Sequence, residues 1–197
     1  MSGEKFTITA PPSTDIWRKP PSTDSFNAPT HALLPNAIPL RSFLRARLTF
    51  SASWTTRYDQ GGLLLHLKHP EQPTDRWLKT GVEFYQGRVF LSTVATQTYS
   101  DWSIAPPADV NNPKVTIEVR REGDELGTSL WVYEVVQGPG GEVERRPLRE
   151  VTWFFGDEEG WEVEVSAMAA RPAKKESVVG GSEGLVVKFE GVEVDVV

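Results

Sequence analysis

Residues 77–98, "WLKTGVEFYQGRVFLSTVATQT", decide the fold. Two runs of alternating character are separated by Gln86-Gly87. Side chains two apart along a strand share a face, so Lys79, Gly81, Glu83 and Tyr85 fall on one side and Val82 and Phe84 on the other. Gly87 supplies the positive φ that a tight turn requires, and the whole reads as an antiparallel β-hairpin.

The same two-residue rhythm runs outward in both directions. In "FLRARLTFSASW" (43–54) Leu44, Ala46, Leu48 and Phe50 share one face, opposite Arg45 and Arg47. In "GLLLHLKH" (62–69) Leu63, Leu65 and Leu67 oppose Leu64, His66 and Lys68. "KVTIEVRREGD" (114–124) and "TSLWVYEVV" (128–136) form a second hairpin-like pair, and "GPGG" (138–141) marks a loop tip. "LREVTWFFG", "GWEVEVSAMAA" and "GLVVKFEGVEVDVV" supply the last strands, and "FTITA" (6–10) the first. No amphipathic helical period appears. The expectation is an all-β, two-sheet antiparallel β-sandwich, folded as a single domain over 1–197.

Two segments break the rhythm. Residues 11–40 carry Pro11, Pro12, Pro20, Pro21, Pro29, Pro35 and Pro39, which exclude a helix interior and a central strand. Ile16, Trp17, Phe26, Leu33 and Leu34 nevertheless give this segment apolar anchors, so it reads as an ordered strap packed on a sheet. Residues 171–184, "RPAKKESVVGGSEG", are charged and Gly-rich between two strong strands, and read as a mobile loop.

The 197 residues carry a net charge of −6, which argues against nucleic-acid or anionic-membrane surfaces. The chain has no cysteine, so disulfides, thiolate nucleophiles and thiolate metal sites are excluded. No apolar leader or spanning run is present, and the expectation is a cytoplasmic protein. The three histidines, His31, His66 and His69, show neither zinc-like spacing nor a catalytic triad, and no phosphate-cradling glycine motif occurs. Neither a metal nor a cofactor is expected.

Polar and aromatic candidates cluster in three blocks. Asp59 and Gln60 precede Gly61-Gly62, a pair suited to a bulge or close backbone approach. Lys79, Glu83 and Tyr85 share a strand face that is either a solvated salt-bridge ladder or a polar binding surface. In "YSDWS" (99–103), Asp101 can cap a turn beside a core Trp102. Alternatively, Tyr99 and Trp102 form a stacking platform with Asp101 as an acceptor. Glu162 and Glu164 form a strand-borne carboxylate pair roughly 6–7 Å apart at Cα, near glycosidase spacing. Alternation with valines is also what an ordinary half-exposed strand shows.

In order and spacing, the blocks "DQGGLLLHL", "RWLKTGVEFYQGRVFLSTVATQTYSDWS", "VTIEVRREGD", "WEVEVSAMAARP" and "GLVVKFEGVEV" resemble the "regulation of enolase" family of β-sandwich proteins. The resemblance implies a jelly roll of the concanavalin A-like lectin/glucanase type with one concave face. The family's label reflects a proposed link to enolase levels or glycolytic regulation. Glucanase relatives carry Glu-x-Asp-x-Glu on one strand, whereas here Ser166 stands where the third acid would be, which disfavours catalysis.

The resulting expectation is a non-catalytic binding module with a polar and aromatic face built from Asp59, Gln60, Lys79, Glu83, Tyr85, Tyr99, Asp101 and Trp102. Its ligand would be carbohydrate-like, or its partner a protein. The alternatives are a glycoside hydrolase with a degenerate acid set at Glu162 and Glu164, and a protein-interaction regulator acting through a glycolytic protein such as enolase.

Overall fold

A computed structural model describes residues 5–112, 114–138, 140–178 and 184–197. The strands are β1 (Phe6–Ala10), β2 (Ile16–Lys19), β3 (Thr23–Phe26), β4 (Thr30–Ala32), β5 (Ile38–Pro39), β6 (Phe43–Ala52), β7 (Gln60–Lys68), β8 (Arg76–Tyr85), β9 (Arg88–Thr96), β10 (Ser100–Ala105), β11 (Val115–Asp124), β12 (Gly127–Gln137), β13 (Val143–Val151), β14 (Glu162–Ala170) and β15 (Leu185–Val196). One six-stranded sheet runs β1-β15-β6-β11-β12-β13. A seven-stranded sheet runs β10-β9-β8-β7-β14-β4, with β5 also on β14. Every strand pair is antiparallel.

The inner faces meet in one core. Leu63, Leu65 and Leu67 of β7 and Leu78 and Val82 of β8 pack with Leu48, Ile117, Val132, Val187 and Phe189 of the opposing sheet. The β8–β9 hairpin closes as the alternation predicts, with Tyr85 opposite Arg88. Gln86 takes φ 49° and Gly87 φ 75°, the paired left-handed conformation of a type I′ turn.

Local departures have identifiable causes. In β6 Leu44 does not continue the inward row; the register with β15 shifts there, and Phe43 turns into the core fully buried. β13 starts at Val143 and stops at Val151, so "TWFF" is a turn whose Phe154 and Phe155 are buried in the core. The start of 171–184, the segment expected to be a mobile loop, is tied to the strap by backbone bonds from Ser13 and Thr14. Arg171 pairs with Pro12 and is buried, and Lys175–Ser177 forms a 3-10 turn. Residues 179–183 lie outside the described residues.

The proline-rich segment adds a further layer. Its β2–β3 hairpin lies across the outer face of the seven-stranded sheet, where Ile16 packs with Leu64, Trp77, Met168 and Ala170 in a second apolar cluster. That explains why "GLLLHL" is apolar on both sides: β7 is covered by the core on one face and by the strap on the other. Fully burying an isoleucine side chain contributes about 1.5–3 kcal/mol.

The strap is tied down by a buried ion pair. Arg171 Nε donates to Asp59 Oδ1 at 2.8 Å and Nη2 to Oδ2 at 2.9 Å, with the arginine 1% and the aspartate 0% exposed. The Asp59 carboxylate also accepts the Thr55 and Thr56 backbone N–H groups, and Arg171 exchanges bonds with Thr14 of the strap. Removing one partner of such a pair strands the other in an apolar surrounding. Asp59→Ala is therefore expected to lower unfolding free energy in urea by about 3–5 kcal/mol, and a loss below about 1 kcal/mol would contradict this anchoring role.

Candidate ligand-binding site

The six-stranded sheet carries a groove of about 380 Å³ beside Arg47, Thr49, Thr116 and Val135. On the six-stranded sheet Glu118 is fully buried beneath Arg45 and Arg145, and Arg45 continues to Glu193 and Asp195. Burial pushes the Glu118 carboxyl up, but the two guanidiniums outweigh it and hold it below the usual carboxylate range. Its main hydrogen-bonding capacity is already satisfied within the protein.

The seven-stranded sheet is different. Gly62 of β7 faces Gly81 of β8. A Cβ on Gly62 would sit 2.1 Å from the Thr80 carbonyl oxygen, and one on Gly81 would sit 2.1 Å from that of Gly61. Only glycine fits at either position, because the two backbones approach closely there, and a shallow hollow lies in the outer face beside them. Gln60, Lys79, Glu83, Ser92 and Met168 stand around it. The free volume is about 10 Å³, room for about one oxygen atom.

The walls are polar and mostly buried. Lys79 Nζ donates to Gln60 Oε1 at 2.7 Å and to Asp15 Oδ1 at 3.1 Å. Gln60 Nε2 donates to the same Asp15 oxygen at 3.3 Å. Trp102 Nε1 donates to Ser92 Oγ at 3.1 Å, and Ser92 in turn donates to Glu83 Oε2 at 2.8 Å. Burial pushes the Glu83 carboxyl above its ordinary value, against the opposing charge of Lys79 and the Ser92 hydroxyl.

Half-buried aromatic rings line one side. Tyr85 meets Trp102 edge-on with centroids 5.4 Å apart, and Tyr58 stacks on Tyr85 at 5.6 Å. Arg57 lies over both tyrosines. Tyr58 takes φ 69°, a conformation uncommon outside glycine, which places its ring in this stack. On the strap side the Trp17 ring centre lies 6.0 Å from Lys79 Nζ.

The structure therefore brings together Gln60, Lys79, Glu83, Tyr85 and Trp102 of the residues singled out in the sequence. It does not bring in three others. Asp59 is sealed with Arg171, on the opposite side of β7 from Gln60. Asp101 alternates with Trp102 and points the other way, where Arg149 of β13 binds it at 2.6 Å. Tyr99 sits in the bend before β10, 53% exposed and apart from the ring stack. Sequence reasoning missed Asp15, Trp17, Tyr58 and Ser92. Tyr58 adjoins a flagged block, whereas nothing local marks Asp15 or Trp17 as neighbours of Lys79.

Glu162 and Glu164 lie on the same outer face, at the far end of β14 beside Lys68 and His66. His66 Nε2 stands 2.9 Å from Asp75 Oδ2 and Nδ1 3.4 Å from Glu164 Oε2, and Phe26 of the strap covers the ring. Burial pushes His66 down despite the neighbouring Asp75. Burial also pushes Glu164 up, yet the hydrogen bond and charge of Lys68 prevail and hold it below its usual range. A carboxyl so held is a poor proton donor at neutral pH.

A family model described as "Protein of unknown function (DUF1349)" matches residues 1–196. An uncharacterised protein of Emericella nidulans is 44% identical over 192 residues, covering 98% of this chain and 86% of that protein. "Regulation of enolase protein 1" of Saccharomyces cerevisiae is 30% identical over 101 residues, 51% of this chain and 46% of that protein. A crystal structure of a functionally unknown protein from Saccharomyces cerevisiae superposes with a TM-score of 0.65 at 22% identity, over 98% of this chain and 88% of that one, and shares the fold.

The raised Glu83 carboxyl carries a pH signature. In the unfolded chain it ionises near 4.5, and in the folded protein higher. Between those values the native state holds the extra proton, so its contribution is present at low pH and lost as pH rises through the folded value. Glu83→Gln keeps an acceptor for Ser92 without the charge. It is expected to stabilise the protein at pH 7, with the gain vanishing below about pH 4.5. Urea unfolding across pH reads this directly, and a loss of stability at pH 7 would contradict it.

Proposed function

The chain belongs to the DUF1349 family, and on that footing we propose that it is a cytoplasmic, non-catalytic module that binds an uncharged, hydroxyl-rich, carbohydrate-like molecule on the outer face of the seven-stranded sheet. The observation that carries this reading is the glycine-floored hollow between Lys79 and Glu83 with an aromatic stack at its side. A hydroxyl group both donates and accepts, and it matches a wall that offers an ammonium donor and a carboxyl acceptor. Tyr85 and Trp102 supply apolar area against which a sugar ring can rest. The charge balance favours a neutral ligand. Lys79 is faced by Asp15 and Glu83, so the hollow has no excess positive charge with which to draw a phosphate or carboxylate.

A second reading follows from the name of the yeast relative: this module acts on a protein partner in enolase regulation. Retention of purified enolase by the immobilised protein at micromolar concentration would support it, and absence of retention would count against it.

The primary reading is tested by a glycan array followed by titration calorimetry on whatever saccharide binds. Trp102→Ala and Glu83→Gln are each expected to weaken that binding about tenfold or more. Affinities equal to wild type in both variants would place the ligand elsewhere.

A further inference from the structure

We propose that Asp15 is the specificity-determining residue of the hollow: held on Lys79, it keeps the site closed to anions and open to uncharged hydroxyl groups. This rests on the reading of the hollow as a ligand site. Asp15 lies in the strap, 64 residues before Lys79, yet its position is over-determined. Its Oδ1 accepts the Ile16 backbone N–H at 2.8 Å as well as the Lys79 and Gln60 bonds. Its own backbone N–H donates to Asn27 Oδ1 at 2.8 Å, and its carbonyl accepts the Asn27 N–H at 3.0 Å. Ile16, the next residue, is fully buried. The carboxylate is therefore delivered to Lys79 by the strap's packing and is not a chance surface partner.

The consequence is electrostatic. Lys79 is 5% exposed and Glu83 7%, and in so dry a place an ammonium with no counter-charge attracts any anion that reaches it. With Asp15 in place the Lys79 ammonium is already paired with a carboxylate, and an incoming anion gains little from it. Without the Asp15 charge, the same hollow presents one of each sign, and the Lys79 ammonium becomes available to an anionic oxygen. Asp15 thus separates neutral saccharides from their phosphorylated or acidic counterparts, and the strap carries the selectivity of a site built otherwise on the sheet.

The test uses the full chain and inorganic phosphate as the probe. The Trp102 indole N–H reports locally because it donates to Ser92 in the hollow's wall. In Asp15→Asn, phosphate is expected to shift that resonance with an affinity at least about tenfold above wild type, and adding Lys79→Met is expected to abolish the gain. Asp15→Ser removes the same charge without leaving an amide and should behave alike. The proposal is overturned if both variants, folded by circular dichroism, take phosphate no better than wild type, or if the gain survives Lys79→Met. Because phosphate is read directly, a protein that binds no saccharide yet gains phosphate in this way would refute the saccharide reading and keep the role of Asp15.

Discussion

The arrangement depends on the seating of one side chain. Ile16 sits between Leu64, Trp77, Met168 and Ala170 on a sheet face that would otherwise meet water. This contact converts the sandwich from two layers to three over part of its area. It also fixes everything that follows in the strap, because Asp15 and Trp17 flank the buried residue and are carried to Lys79 with it. The Arg171–Asp59 pair holds the strap's entry, and Arg18, stacked on Trp77 and bonded to the Asp75 carbonyl, holds β2 just after Ile16.

The hollow lies where the strap leaves the sheet uncovered, beside a close approach of two glycine backbones. Gly62 and Gly81 face each other on neighbouring strands, and their close backbone approach floors a shallow hollow among Gln60, Lys79, Glu83 and Ser92. Lys79 and Glu83 lie on either side of Gly81 along one strand, so their proximity is a property of β-strand geometry alone. Their different treatment comes from their neighbours. Lys79 has Asp15 and Gln60 as acceptors, whereas the burial of Glu83 outweighs the Lys79 charge and the Ser92 and Trp102 hydrogen bonds.

Much of this was legible in the sequence because period-two alternation fixes faces. Lys79, Glu83 and Tyr85 could be assigned to one side of β8 without coordinates, and the glycine pair signalled a close approach. The same rule, applied across "YSDWS", separates Asp101 from Trp102, since adjacent residues on a strand point apart. Asp101 accordingly meets Arg149, whereas Trp102 meets Ser92. What the sequence could not reveal was long-range register. The neighbours of Asp15 lie 45 and 64 residues away, and no local pattern distinguishes an acid on a packed strap from one in a solvated turn. The apolar outer row of β7, Leu64 beside His66, was the trace of the third layer, and it is readable only as burial on both faces.

The central claim is that the strap's seat on the seven-stranded sheet builds the site, and amide hydrogen exchange in Ile16→Ala tests it most directly. The expected result is faster exchange in β2, in β7 around Leu64 and in β8 around Lys79, while β6 and β11 in the other sheet keep wild-type protection. Unchanged protection at Leu64 and Lys79, or uniform loss across both sheets, would contradict it.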